Sequence, residues 1–314
     1  GTIGDFQWEG MRSIIEYYKL WEHDCIFAYD LDWEPMWLKH KDRVKWDGAW
    51  QEWIVERYGS VENAERDWGF AASKGPDGKV TNPEDEQLSK DGDWRVMAAA
   101  YRRFLDTLLY KEYGAMRDRV RAVDPHHFVS FRMTEAGDPT MNWGGILAYD
   151  YPYLAAGVDI LEPEGYGRIG DWEKIKPGWF EFEYGRWAAP HHPFMWAEAG
   201  VHAWDVAAGG TTQALLDVQG QFYRDFYRML IRSGADGIFW WWYPGGFRVG
   251  ENSDYGIINA DGTYREASRA IRENTEAFIG GADAKAVDTW IEIDRDAHPS
   301  GVTGIYDKAK DAFW

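Results

Sequence analysis

The 314-residue chain contains a single cysteine, Cys25. One thiol excludes an internal disulfide and any cysteine-based zinc cluster. Cys25 opens the apolar run Cys-Ile-Phe-Ala-Tyr, where a buried structural thiol is expected. No apolar run reaches the roughly 20 residues that a membrane-spanning helix needs. Gly1-Thr2-Ile3-Gly4 lacks the basic and apolar regions of a signal peptide, as a processed secreted chain would. Basic residues are few as well. There are 34 Lys and Arg against 53 Asp and Glu, a formal net charge of −19. Such a chain repels nucleic acid and anionic membranes, so neither is an expected partner. Metal-ligand spacing is missing too. Asp30-Leu31-Asp32 does not begin an EF-hand, because the glycine and distal glutamate of that loop are absent. No metal and no cofactor is expected.

Aromatic residues are abundant: 20 Trp, 18 Tyr and 15 Phe. Aromatic faces stack on the C–H faces of sugar rings, and polar groups bind the hydroxyls. A Trp-rich acidic chain therefore points toward carbohydrate, although many of these rings must form core.

Hydrophobic periodicity alternates between helix and strand. Residues 6–23 read as an amphipathic helix, with Phe6, Met11, Ile14, Ile15, Tyr18 and Leu20 as its stripe. Cys25–Leu31 suits a buried strand, closed by Asp32-Trp33-Glu34-Pro35. Residues 36–93 form a long insertion that is helical at Trp46–Tyr58 and Val61–Trp68. Asp93 is a plausible N-cap for a helix from Trp94 to about Ala122. Further strands are expected at Phe128–Met133, Val158–Glu162, Pro193–Glu198 and Gly237–Trp242. Helices are expected near Ile146–Ala156, Gly178–Ala188, Thr212–Ser233 and Tyr264–Ile279. Alternation of this kind implies an α/β fold with a parallel sheet and right-handed crossovers. About five strand–helix units are visible, and a closed (β/α)8 TIM barrel needs eight. The chain is therefore expected to cover strands four to eight as a segment of a longer protein, the remaining strands either coming from a complementary chain or oligomer or lying outside this sequence. Thr289–Asp294 and Gly304-Ile305-Tyr306 alternate like strands again. The expected division is a barrel domain over 1–280 and the start of a β-rich domain over 281–314.

Acidic residues gather at the C-terminal ends of the strands, where a barrel builds its active site. Glycosidic cleavage needs two carboxyl groups, one to protonate the leaving oxygen and one to attack the anomeric carbon or activate water. Glu34 follows the first strand, with Asp30 and Asp32 as rival acids or packed layer residues. Glu198 closes Pro193-Phe194-Met195-Trp196-Ala197-Glu198, and a charge ending an apolar strand is costly unless it is partnered or functional. Glu162 and Glu164 end a third strand, and Tyr166 is placed to donate a hydrogen bond to a nucleophilic carboxylate. Trp33, Trp196, Trp240 and Trp242 are candidate substrate contacts; at least one ring of Trp240-Trp241-Trp242-Tyr243 is expected to form the sugar platform, the others packing against helices. Arg132, Glu135 and Glu164 are candidate substrate contacts. His126-His127 and His191-His192 precede strands and read as structural or solvated.

These residues together resemble clan A glycoside hydrolases, nearest to the family 42 β-galactosidase pattern. The resemblance rests on Trp53-Ile54-Val55-Glu56-Arg57-Tyr58-Gly59-Ser60 with Trp68-Gly69, and on Tyr101-Arg102-Arg103-Phe104 through Val123-Asp124-Pro125. It also rests on Gly234-Ala235-Asp236-Gly237-Ile238 and on Asp254-Tyr255-Gly256 through Arg265-Glu266-Ala267. It covers roughly residues 6–280. It implies a TIM barrel with an acid/base glutamate after strand four and a nucleophilic glutamate after strand seven, the positions of Glu34 and Glu198. Trp33 stands where the clan usually has asparagine, and the zinc-binding cysteines of many family 42 members are missing. A β-galactoside, a β-glucan or another β-glycoside thus stays open as substrate. The expectation is a retaining glycosidase. The other readings are a carbohydrate-binding barrel without catalysis and a fragment that is inactive without a partner segment.

Overall fold

The computed structural model describes residues 5–35, 39–135, 137–142, 149–281 and 288–314. In chain order its main elements are α1 (Asp5–Tyr18), β1 (Ala28–Trp33), α2 (Asp47–Tyr58), α3 (Val61–Trp68), α4 (Arg95–Arg121), β2 (Phe128–Arg132), α5 (Pro177–Ala188), β3 (Met195–Ala199), α6 (Gln213–Ser233), β4 (Gly237–Trp240), α7 (Glu266–Ile279) and α8 (Tyr306–Phe313). Among the described residues no helix is long and apolar enough to cross a membrane. The chain divides into two compact units, Gly1–Leu161 with Ile291–Trp314, and Glu162–Trp290.

In the first unit β1 and β2 run parallel, with Ala28 opposite Phe128 and a register shift between Asp30 and Trp33. Tyr29 and Leu31 point into the core while Asp30 is exposed, the two-residue period of a strand. The Asp159 N–H donates to Val129 O at 2.9 Å, and Ser130 Oγ donates to Ile160 O at 2.8 Å. The segment expected as strand Val158–Glu162 therefore lies along β2 without forming a continuous strand. The first three residues of the expected helix near Ile146–Ala156 lie outside the described residues, and one short helical turn occupies Tyr151–Leu154.

The insertion is built on tryptophan. Trp50 is fully buried and stacks on Trp53 and Trp68, with ring centroids 5.4 and 5.8 Å away. Tyr101 and Phe104 of α4 meet the same ring at 5.2 and 5.4 Å. Much of the aromatic excess in this region is thus core, bringing α2 and α3 onto α4. Ser60 caps α3 by accepting from the Asn63 N–H, and Gly59 and Gly69 close α2 and α3 at positive φ.

Several expectations need correction here. The buried face of α1 is Trp8 and Ile15, while Ile14 and Tyr18 of the expected stripe are exposed. Cys25 is exposed as well, because the strand begins three residues later, at Ala28. Trp94, not Asp93, occupies the N-cap of α4. Thr289–Asp294 forms no strand, and Tyr306 begins α8. The C-terminal residues Ile291–Trp314 cluster with the first unit and show no β-rich domain. Tyr306 and Ala309, one turn apart, give α8 its buried face.

Two buried carboxylates in this unit titrate in opposite directions. Burial pushes Asp124 up, but donors from His127, Tyr29 and two backbone N–H groups outweigh it and hold the carboxyl at about 2. His127 is therefore structural, as expected. Burial raises Asp106 to about 7, helped by the Asp150 carboxylate and opposed by Arg103. The unfolded value is about 3.9, so the folded chain holds this proton more tightly. Stability from the protonated form is complete below about pH 4 and is lost as pH rises through about 7. Asp106→Asn keeps an acceptor for the Asp150 N–H but cannot ionise. It is expected to flatten the pH dependence of the urea midpoint between about pH 4 and pH 8. An unchanged slope would show that Asp106 does not carry this proton.

In the second unit, Pro163–Gly165 runs along β3. The Ala197 N–H donates to Pro163 O at 2.9 Å, and the Gly165 N–H to Glu198 O at 2.6 Å. β3 pairs parallel with β4, Met195 opposite Gly237 and Ala199 opposite Trp240. Helix α6 covers these strands with Phe222, Tyr223 and Phe226, is capped by Thr212 and ends at Gly234 in the left-handed conformation. Beyond the strands, a buried ion pair between Asp254 and Arg265 ties the loops together. Both side chains are 3% exposed, and the Arg265 guanidinium also donates to Gly256 O at 2.8 Å.

Candidate functional site

Glu34 lies one residue past β1 at φ +48°, and its N–H donates to Arg132 O at 3.2 Å. A non-glycine residue in the left-handed region is uncommon and is held there by its surroundings. The half-buried Glu34 side chain pairs with no Lys or Arg among the described residues. Its two rivals are committed. Asp30 accepts from Arg132 Nε at 2.6 Å. Asp32 accepts from Tyr113 Oη at 3.0 Å and from the Trp33 N–H at 2.9 Å. Although its side chain keeps 43% of its surface exposed, neighbouring atoms desolvate the Asp30 carboxyl enough to raise it above its ordinary range, against the pull of Arg132. Of the three acids at this strand end, Glu34 alone has no side-chain partner among the described residues.

The expected contacts around it fall into place unequally. Trp33 is exposed, and the Arg132 guanidinium lies 5.3 Å from its ring centroid. Arg132 thus bridges Asp30 and Trp33, so that one cation fixes both a carboxylate and an aromatic face. Glu135, expected at the rim, is instead buried, at 4% exposure.

Glu198 occupies β3, in which every residue is buried. Tyr166 Oη donates to Glu198 Oε2 at 3.0 Å, the hydrogen bond expected from the sequence. Burial, then the Glu198 charge, pushes the Tyr166 hydroxyl far above its ordinary value, so it remains a donor at any working pH. Glu164 is 1% exposed and pairs in parallel register with Glu198, bringing two acidic residues together on adjoining backbone segments. Glu162 is buried as well. Glycine at position 200 is dictated by a close approach. A Cβ there would lie 2.0 Å from the Trp241 carbonyl oxygen.

The aromatic candidates divide in a way that two-residue alternation did not reveal. Trp196 is fully buried, 5.1 Å from Phe194 and 5.6 Å from Phe226. Trp240 packs on Tyr223 at 4.2 Å and on Phe226 at 5.3 Å. Both rings face α6, Trp196 fully buried and Trp240 half-buried, which corrects their assignment as substrate contacts. Trp242 lies beyond the end of β4, together with Trp241, in the loop that follows. The Arg248 guanidinium sits 4.8 Å from each of these two rings and pairs with Glu251 at 2.9 Å.

Sequence reasoning missed Arg248, Tyr255 and His202. The Tyr255 ring lies 6.3 Å from Tyr166 and 5.8 Å from His202. The signal was present in Asp254-Tyr255-Gly256, but what places Tyr255 is long-range packing: a Cβ on Gly256 would fall 2.3 Å from the Gly245 Cα. Among the described residues no group of three or more His, Cys, Asp or Glu side chains is placed to hold a metal ion.

No protein-family model matches the sequence, and no curated protein matches it. Solved structures do match. A β-galactosidase from the haloarchaeon Halorubrum lacusprofundi superposes with a TM-score of 0.59 at 17% identity, covering 91% of this chain and 43% of its own. A β-galactosidase from Bacillus circulans sp. alkalophilus gives 0.61 at 17% identity, covering 86% and 38%. The agarase AgWH50C gives 0.59 at 13% identity, covering 87% and 40%. The chain thus shares its fold with part of these glycosidases and spans about two fifths of their length. The likeness to family 42 extends to a β-galactosidase named as a member of that family, Gan42B, at a TM-score of 0.55 and 15% identity.

Proposed function

We propose that this chain carries the catalytic carboxylates of a retaining β-glycoside hydrolase, with Glu198 as nucleophile and Glu34 as acid/base. One observation carries the reading. Glu198 is buried at the end of a parallel strand and held by a permanent hydroxyl donor, Tyr166. A nucleophilic carboxylate needs this arrangement: a fixed orientation, a dry setting, and a donor that eases its later departure from the sugar. The uncommitted Glu34 at another strand end, and the fold shared with β-galactosidases and agarases, support the same reading.

In the first step Glu198 attacks the anomeric carbon while Glu34 gives its proton to the leaving oxygen. In the second, Glu34 takes a proton from a water whose oxygen attacks the anomeric carbon and displaces the Glu198 carboxylate. Retention requires the two carboxyl groups about 5–5.5 Å apart. The strands would correspond to four through eight of a (β/α)8 barrel. The proposed substrates are β-galactosides, β-glucans or other β-glycosides, with Trp33 and Arg132 of the first unit and Glu164, Trp241 and Trp242 of the second as candidate contacts.

The test is reducing-sugar release from a panel of β-linked oligosaccharides, comparing the wild type with Glu198→Ala. Release that falls by at least about a thousandfold in a folded variant would support the nucleophile role. Equal release would remove Glu198 from the mechanism. Binding of saccharides without release from either protein would favour a carbohydrate-binding barrel.

A further inference from the structure

A cleft of about 640 Å³ lies in the first unit, lined mainly by residues of α2 and α4. Trp53 lines it, as do Tyr58 and Tyr153. One face of the Trp53 ring rests on Trp50, with interplanar angle 25°. Its indole N–H has no protein acceptor among the described residues and is not sealed from solvent. Tyr58 Oη accepts from Trp68 Nε1 at 3.2 Å, which leaves its own proton to donate. Arg57 and Lys111 also line the cleft, both exposed, and neither enters an ion pair among the described residues. Of the carboxylates on its walls, Asp296 is already bound by Arg103 at 3.0 Å, leaving Glu56 against two free cations.

This wall is rich in unused donors and has a flat aromatic surface, inside a chain whose net charge is −19. An acceptor-rich ligand with apolar ring faces fits it. We infer that the cleft is a second saccharide-binding site, one that takes a glycan bearing sulfate or carboxylate groups. Trp53 and Tyr153 would stack on its rings, while Arg57 and Lys111 would meet the anionic substituents. The inference rests on the glycosidase reading only for the choice of a saccharide. A second site of this kind would hold a polymer on the protein while the strand-end carboxylates work elsewhere on it.

The test uses the full chain carrying Glu198→Gln, so that nothing is turned over. It is titrated by calorimetry with a 4-sulfated galactan tetrasaccharide and with its desulfated counterpart. The sulfated form is expected to bind at least about tenfold tighter at low salt, with the advantage shrinking as salt rises. Arg57→Ala with Lys111→Ala should erase the preference without changing affinity for the neutral form. Tyr153→Ala should weaken both forms. These side chains are exposed, so unfolding midpoints should match the parent, and Trp53→Phe should retain most binding. Equal affinity for the two glycans, a preference that survives the double variant, or no binding of either would overturn the inference. Hydrolysis plays no part in this readout, so it and the proposed catalytic reading can fail separately.

Discussion

Asp254→Ala is expected to cost the second unit about 3–5 kcal/mol, the range for breaking a buried ion pair on one side. The Asp254 and Arg265 side chains are each 3% exposed and meet through two parallel hydrogen bonds of 2.7 and 3.0 Å. Removing the carboxylate leaves a guanidinium that cannot give up its proton in a place water does not reach. Its remaining acceptors, Gly256 O at 2.8 Å and Asn259 Oδ1 at 2.9 Å, are neutral and do not balance the charge. The same carboxylate also accepts from the Gly256 N–H at 2.9 Å, so that backbone donor loses its partner too. A further effect follows at the strand ends. The Ala203 N–H donates to Asp254 O, and the Trp242 N–H donates to Tyr255 O at 3.3 Å. The loops that carry Tyr255 and Trp242 therefore share one anchor with the strand end after Glu198. Urea unfolding would measure the loss. Replacing both partners together, Asp254→Leu with Arg265→Met, should recover much of it, because no charge is then left alone. A cost below about 1 kcal/mol for Asp254→Ala would mean that the pair is solvated in solution.

The residues of this pair stood in the motif that suggested the family, but their partnership did not. Local signals were readable because their causes are local. Helices α2, α3 and α6 announce themselves through Ser60, Thr212 and the closing glycines, whose chemistry is settled within one turn. The strands were legible from short apolar runs ending in acids, and Glu198 with Tyr166 followed from that pattern. What failed depended on partners distant in sequence. Trp196 and Trp240 read as substrate contacts, because alternation says which residues share a face but not what covers that face. The covering element is α6, whose Phe226 and Tyr223 take up both rings. Residues Thr289–Asp294 alternate as a strand would, yet without a neighbouring strand that period has nothing to pair with. Gly304-Ile305-Tyr306 was misread for a similar reason: its apolar residues lead into α8, where Tyr306 and Ala309 are buried one turn apart. Arg248 escaped notice because a loop cation carries no periodicity at all. Its role is visible only once Trp241 and Trp242 are placed beside it.

Glu34→Gln is expected to separate good leaving groups from poor ones, which the loss of Glu198 cannot do. Protonation of the departing oxygen matters when that oxygen would otherwise leave as a strongly basic alkoxide. For a β-linked disaccharide, losing the acid should slow turnover by about 100- to 10,000-fold. A nitrophenyl β-glycoside needs no such help, so Glu198 should still be glycosylated at close to the wild-type rate. The second step then lacks its base, and the glycosyl-enzyme accumulates, seen as a burst of nitrophenol followed by slow release. Azide attacks without needing a proton removed, so adding it should restore turnover and yield the glycosyl azide with retained configuration. Fold stability should change little, since the Glu34 carboxylate pairs with no cation among the described residues and leaves none unbalanced when neutralised. Equal losses on both substrates, with no burst and no rescue by azide, would show that Glu34 is not the acid/base. The role would then pass to another carboxylate near the nucleophile. Asp30 and Asp32 are poor substitutes, since Arg132 and Tyr113 already hold them.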